Sequence, residues 1–261
     1  MLETLLNPVV ESFHAHSLVF FICAIASVIV IGISKSGFGA GLGVLALPLM
    51  ASQSSMNESL VILLPLLIAI DLVGMRRFLK NADWRVLKLV LPPAFFGLFL
   101  GMILFTVITP KALTLFVGIF ILLFLIQMLV SSHFDLKAAK PYPWLGRLMG
   151  ITSGFTSFVS HNGGPPITLF MLRENLAPIV YTSTLGVFFT FLNFGKVGFY
   201  AHLDLLNLRH LATSVILLPC VPVGVYLGFY LAGKISVKWY YRLVNFFLLI
   251  ASIKLIADGL I

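Results

Sequence analysis

The chain has 261 residues, 60% of them hydrophobic and 10% charged, with a mean hydropathy of +1.08. Soluble domains carry about 25% charged and about 45–50% apolar residues, so a soluble domain is excluded and a chain embedded in a lipid bilayer is expected. The net charge of +8 would suggest nucleic acid in a soluble protein, but here the Lys and Arg residues flank apolar runs and read as topology signals, so no nucleic-acid partner is expected.

In chain order, the apolar runs are residues 17–33, 59–75, 86–109, 112–130, 178–200, 211–232 and 240–257. Each approaches the roughly 20 residues that cross a hydrocarbon core of about 30 Å. No Lys or Arg precedes Lys35, so the first run lacks the basic region of a cleaved signal peptide and is expected to remain in the mature protein. Cys23 and Cys220 lie inside apolar runs without disulfide or metal-site spacing. Both read as small buried apolar residues, and no metal or cofactor is expected. The whole chain, 1–261, reads as one transmembrane domain.

The chain also contains an internal repeat. Late in each half, Pro92, Gly97, Gly101 and Lys111 match Pro219, Gly224, Gly228 and Lys238, every pair separated by 127 positions. Early in each half, "SGFGAGLGVLALP" matches "SGFTSFVSHNGGP": Ser36, Gly37, Phe38 and Pro48 pair with Ser153, Gly154, Phe155 and Pro165 at a separation of 117. The first repeat then spans about 17–131 and the second about 144–257.

Basic residues cluster at Arg76, Arg77, Lys80 and Arg85, then at Lys137, Lys140 and Arg147, then at Lys234, Lys238 and Arg242, with Arg173 alone between the last two groups. Short basic loops stay cytoplasmic. Residues 144–172 therefore enter and return as a hairpin between Arg147 and Arg173, and 17–50, whose flanks carry no Lys or Arg, form a hairpin from the opposite face. The expected fold is an all-α polytopic membrane protein of two inverted repeats. Each is a re-entrant or short-helix hairpin plus three transmembrane helices, with both termini outside and the protein in the cell (inner) membrane. The sequence leaves a homo-oligomer open.

Non-helical backbone at membrane depth survives only where protein or a watery cavity satisfies it, so the two hairpin turns mark a site. The first turn is "SKSGFGAGLG", with Ser34, Lys35, Ser36, Gly37, Gly39 and Gly41; the second is "SHNGGPP", with Ser160, His161, Asn162, Gly163 and Gly164. Two helix N-termini meeting mid-membrane concentrate free N–H groups and positive dipole ends, which suits a small oxyanion. Lys35 adds a charge, and Ser34, Ser36, Ser153, Ser157 and Asn162 add neutral donors. Gly154 is counted with the substrate-binding residues. Some of these have a structural reading beside the functional one: Lys35 as a snorkelling side chain, the alternating glycines as a packing surface, His161 as a satisfied structural histidine or a proton carrier. Gly97, Gly101, Gly224 and Gly228 read as helix-packing positions. Deeper in the runs, Asp71 is either a functional ionisable group or the partner of Arg76, and Lys196, one turn after Asn193, is either functional or snorkels outward. Asp71, His161, Asn193 and Lys196 are the candidates for ion coupling.

The two hairpins, "GISKSGFGAGLGVLALP" and "GITSGFTSFVSHNGGPP", in a chain of this length, resemble the sulfite exporter TauE/SafE family over residues 17–257. The resemblance implies a secondary carrier for a small sulfur-containing anion such as sulfite, thiosulfate or an organosulfonate, working by alternating access. The second turn has "SHN" where the first has Gly43, Val44 and Leu45, so substrate choice is expected to reside mainly in the second. The rival readings are an anion channel, an intramembrane serine hydrolase with His161 as base, and a structural scaffold. The hydrolase lacks a G-x-S-G element, and Ser153, Ser157 and Ser160 compete for its nucleophile. A scaffold has no need of in-membrane turns.

Overall fold

The computed structural model describes residues 2–38, 42–131, 142–232, 234 and 237–260. Gly39 and Gly41, and the basic residues Lys137 and Lys140, lie outside the described residues. Among the described residues all regular structure is helical.

Helix α1 (Leu2–Ala15) precedes α2 (Leu18–Ile33), whose first turn is capped by Ser17 accepting the Phe20 N–H. A π-helical turn (Ser34–Phe38) ends α2, and a 3-10 turn (Leu42–Leu45) leads into the short α3 (Ala46–Ala51). Then come α4 (Met56–Asn81), capped by Ser55, α5 (Trp84–Val107), capped by Asp83, and α6 (Pro110–Ser131). The second half runs α7 (Pro143–Ser160), α8 (Gly164–Arg173), α9 (Pro178–His202), α10 (Leu208–Leu217), α11 (Cys220–Ala232) and α12 (Val237–Leu260). Among the described residues, five stretches are long and apolar enough to span a bilayer, Leu18–Ser36, Met56–Arg76, Trp84–Val107, Pro110–Gln127 and Pro178–His202, and α10 with α11 makes a sixth if the bent pair is one span. The chain is thus an all-α, multi-pass membrane protein.

Three features differ from the sequence reading. The run 211–232 is two helices, α10 and α11, bent by 44°. Pro219 has no N–H to offer the Val215 carbonyl and its ring crowds that oxygen, so Val215 takes the Leu218 N–H instead, at 3.2 Å. Residues 2–15, expected to be a plain flank, form α1, which packs on α10 through a 2.7 Å Ser12 Oγ to Thr213 Oγ1 bond. Beside it, His16 Nε2 and His210 Nε2 lie 3.2 and 3.3 Å from one oxygen of Glu58. Cys23 and Cys220 are half-buried rather than buried, and both are free.

Helix pairing follows the sequence repeat. Exchanging α2–α3 with α7–α8, α4 with α9, α5 with α10–α11, and α6 with α12 converts the α5–α7 contact into α11–α2 and α5–α9 into α10–α4. The α4–α9 and α6–α12 contacts map onto themselves. The repeated glycines make the equivalent contacts: a Cβ on Gly97 would stand 2.0 Å from the Ile151 carbonyl oxygen of α7, and one on Gly224 3.0 Å from the Ile29 backbone of α2. Gly101 lies against Phe158, and Gly228 against Ile33 and Ser36. In lipid, where apolar burial drives no helix association, such close backbone approach supplies the attraction.

A test follows from two glycines. A Cβ at Gly154 would lie 1.9 Å from the Ala94 carbonyl oxygen, whereas one at Gly198 meets nothing within 4 Å. Thermal unfolding in detergent should show Gly154→Ala destabilised by about 1–3 kcal/mol. Gly198→Ala should be unchanged or up to about 1 kcal/mol more stable, since Ala is the better helix former.

Candidate anion-binding site

The second hairpin turns within three residues. His161 adopts a left-handed conformation (φ 55°), and the His161 and Asn162 N–H groups bond back to the Ser157 and Thr156 carbonyls, closing the end of α7. Ser153 Oγ donates to the Gly163 carbonyl at 2.5 Å and Ser160 Oγ to the Thr156 carbonyl at 2.9 Å. A Cβ on Gly163 would lie 2.6 Å from the Ser153 carbonyl oxygen. Ser153, Ser160, Gly154 and Gly163, expected among the ligand contacts, therefore hold the turn and the α5–α7 seam. The two hydroxyls are committed to backbone carbonyls of the turn, and the two glycines to close backbone approach. Gly164 opens α8 without a side-chain cap, and because Pro165 and Pro166 follow it and carry no N–H, Gly164 is the one residue of the first three in the helix with a backbone donor.

The first hairpin places Ser34 buried at its tip and Gly37 within the π-helical turn. Its return arm opens as a 3-10 turn into a six-residue helix, so the expected pair of full helix N-termini is met only on the second side. Ser36 Oγ lies 2.7 Å from the Gly32 carbonyl oxygen and 2.9 Å from that of Val225, tying the tip to α11. Lys35 does not snorkel: its Nζ is 2.5 Å from Asp71 Oδ1. Asn193 Nδ2 donates to Asp71 Oδ2 at 2.6 Å, so the carboxylate, 2% exposed, is gripped from both halves. The pairing with Arg76 is not made, and Arg76 is exposed. Lys35 wins because the hairpin delivers it to the same depth.

Lys196 is fully buried and does not reach the outer interface. Its Nζ is 3.2 Å from both the carbonyl oxygen and Oγ of Ser157, and 2.8 Å from His161 Nδ1. His161 Nε2 lies 2.8 Å from the Leu60 carbonyl, which can only accept. Nε2 is therefore the donor, and Nδ1 receives the lysine proton. Among the described residues, no carboxylate lies within ion-pair distance of Lys196. With both ring nitrogens engaged in this way and no hydroxyl bonded to either among the described residues, the serine–histidine pair of a hydrolase is not formed.

These groups converge on one cavity of about 340 Å³. Ser34, Lys35 and Ser36 line it from the first hairpin; Ser157, His161, Asn162 and Gly164 from the second; Asp71 and Asn193 from the spans between. Phe189, Phe229, Leu67 and Val225 form an apolar wall. Toward the ends of α4 and α9 that carry Arg76, Lys80 and the start of α9, the lining continues through Gly74, Phe78, Thr182 and Gly186, with the Phe78 ring seated on both glycines. Two buried polar atoms on the wall have no protein partner: Asn162 Nδ2 and Ser183 Oγ. Ser183 was not anticipated. Its spacing gives no cue: ten residues before Asn193, it stands about 80° round α9 from that side chain.

The chain is thus a polytopic membrane protein with a solute-sized, partly polar cavity lined from two interhelical turns. The family model described as Sulfite exporter TauE/SafE matches residues 24–255, and the chain belongs to that family, whose members are transporters rather than enzymes. No curated protein and no solved structure matches the chain. The match begins after α1.

Because Asn162 Nδ2 and Ser183 Oγ satisfy nothing in the protein, Asn162→Ala and Ser183→Ala should leave the ligand-free melting temperature unchanged or slightly raised. Truncating a bonded buried group instead costs about 1–3 kcal/mol, so a clear fall would show that these atoms have protein partners.

Proposed function

We propose that the protein is a secondary carrier for sulfite or a related sulfur-containing anion, organosulfonates included, and that the anion binds in the cavity between the two hairpin tips. One observation carries this reading: residues from both tips and both intervening spans line one cavity, on whose wall two buried polar atoms have no partner among the described residues. The charges also fit. Lys35 and Asp71 offset one another, and Lys196 behind Ser157 and His161 adds positive charge that an anion complements. The uncapped start of the ten-residue α8 brings the Gly164 N–H and a positive dipole end to the same space, Pro165 and Pro166 having no N–H to add. Sites for small molecules run from about 300 to 1,000 Å³, whereas one water occupies about 30 Å³. The cavity therefore accommodates hydrated sulfite, or a sulfonate whose tail lies on Phe189 and Phe229.

The cavity lining extends toward the basic end of α4 and α9, which the positive-inside rule makes cytoplasmic in the cell membrane. Past Lys196 on α9, Tyr200 donates to the Phe158 carbonyl, and Tyr200, Phe158 and Leu60 are fully buried. A packed layer there suits a carrier better than an open anion channel. The contact exchange between halves supports reading them as inverted repeats, and rocking one hairpin and its partners against the other would open the outer side in turn.

In reconstituted vesicles, uptake of labelled sulfite should saturate and show counterflow; an unsaturable flux with matching current would make the protein a channel. With purified protein, a hydrogen bond to a charged ligand contributes about 1.5–3 kcal/mol, so Asn162→Ala should weaken binding of the best of sulfite, thiosulfate and sulfoacetate by about 10-fold or more. Wild-type affinity in both Asn162→Ala and Ser183→Ala would put the site elsewhere.

A further inference from the structure

The two donors best suited to an anion at mid-depth are already occupied. Lys35 Nζ and Asn193 Nδ2 hold the two oxygens of Asp71 at 2.5 and 2.6 Å, on the wall of the cavity. A carboxylate and a transported oxyanion are chemically alike, and both cannot share one ammonium and one amide while both are charged. We propose that Asp71 is a tethered rival of the substrate, releasing Lys35 and Asn193 to the incoming anion by taking up a proton, so that one proton travels with each anion. This rests on the carrier reading of the cavity and adds to it the coupling ion and the residue that binds it.

The step balances without a redox partner or covalent bond. A proton from water in the cavity adds to a carboxylate oxygen of Asp71; Lys35 keeps its own proton and exchanges one anionic partner for another; release reverses both. Neither grip fixes the carboxylate permanently: Lys35 sits on a π-helical turn, and Asn193 donates through one amide N–H. The groups facing Asp71 favour an anion in its place. Lys35 comes from the first tip and Lys196 from α9, behind Ser157 and a neutral His161, and among the described residues no other carboxylate lines the cavity. The remaining neighbours of α4 contribute little. Helices α2, α3 and α11 contain no Asp, Glu, Lys, Arg or His, α6 brings only Lys111 at its first turn, and α10 brings Arg209 and His210 to Glu58 near the opposite end of α4. Arg76 and Lys80 on α4 itself are exposed.

The experiment measures calorimetric binding of methanesulfonate, whose charge does not change with pH, to purified full-length protein at about pH 5 and about pH 8. Linked uptake of one proton weakens binding by up to about tenfold per pH unit above the titration of Asp71. The wild type should therefore bind at least about tenfold tighter at the lower pH, and Asp71→Asn should bind with that tighter affinity at both. Loss of binding in Asp71→Asn, or the wild-type pH dependence retained in it, overturns the proposal while leaving the site in place. Folded wild-type protein that binds neither methanesulfonate, sulfite nor thiosulfate at either pH overturns the site reading itself. Should Asp71→Asn fail to fold, wild-type vesicles decide: an imposed sulfonate gradient should carry protons in the same direction as the anion, and anion movement without them sinks the proposal.

Discussion

Backbone that leaves the helical path inside a membrane must find partners without water, and the centre of this molecule is arranged around that constraint. At the second tip, two backbone bonds and the Ser153 hydroxyl close the turn. At the first, Ser36 reaches the Gly32 and Val225 carbonyls. Pro65, inside α4, withholds an N–H from the Val61 carbonyl, and on either side the Leu60 and Ile62 carbonyls receive His161 Nε2 and Ser214 Oγ. So much of the local polar chemistry is paired that the exceptions carry meaning. Among the described residues Asn162 Nδ2 and Ser183 Oγ remain without partners, and both stand on the wall of a cavity lined from both tips.

Holding two unwound tips together requires rigid walls. The glycines of α5 and α11 supply them by letting the helix backbones of α7 and α2 approach to van der Waals contact. The same glycines recur at a separation of 127 in the sequence, and they serve opposite halves of the molecule: each late helix braces the other half's hairpin. The hairpins are thus supported in trans, while α4 and α9, paired with each other, bring Asp71 and Asn193 to the level of Lys35. Ion pairing, amide donation and close packing all meet within one cluster.

Much of this was legible in the sequence. The apolar runs, the two interrupted hairpins and the duplicated glycines follow from hydropathy and spacing, and nine of the residues singled out for the site line the cavity: Ser34, Lys35, Ser36, Asp71, Ser157, His161, Asn162, Gly164 and Asn193. What escaped depends on three-dimensional neighbours. Asp71 and Arg76 are close in sequence, but the depth of the first tip decides for Lys35. Lys196 looks able to snorkel until the second tip is seen to meet it with three acceptors. Ser153 and Ser160 carry the same hydroxyl as Ser183, and only the fold separates those that brace a turn from the one that faces empty space. Helix α1 has no long apolar run to announce it, and Pro219 breaks its span where Pro92, at the equivalent position, is tolerated inside α5.

The central claim is that the transported anion lies between Lys35 and Asn162, in contact with both halves. A crystal structure with bromoethanesulfonate, read from the anomalous signal of the bromine and the density of the sulfonate, tests it most directly. The account predicts the sulfonate oxygens within hydrogen-bond distance of Lys35 Nζ and Asn162 Nδ2, with the bromine toward Phe189 and Phe229. A sulfonate bound elsewhere, such as between α6 and α12 with the hairpin tips untouched, would contradict it.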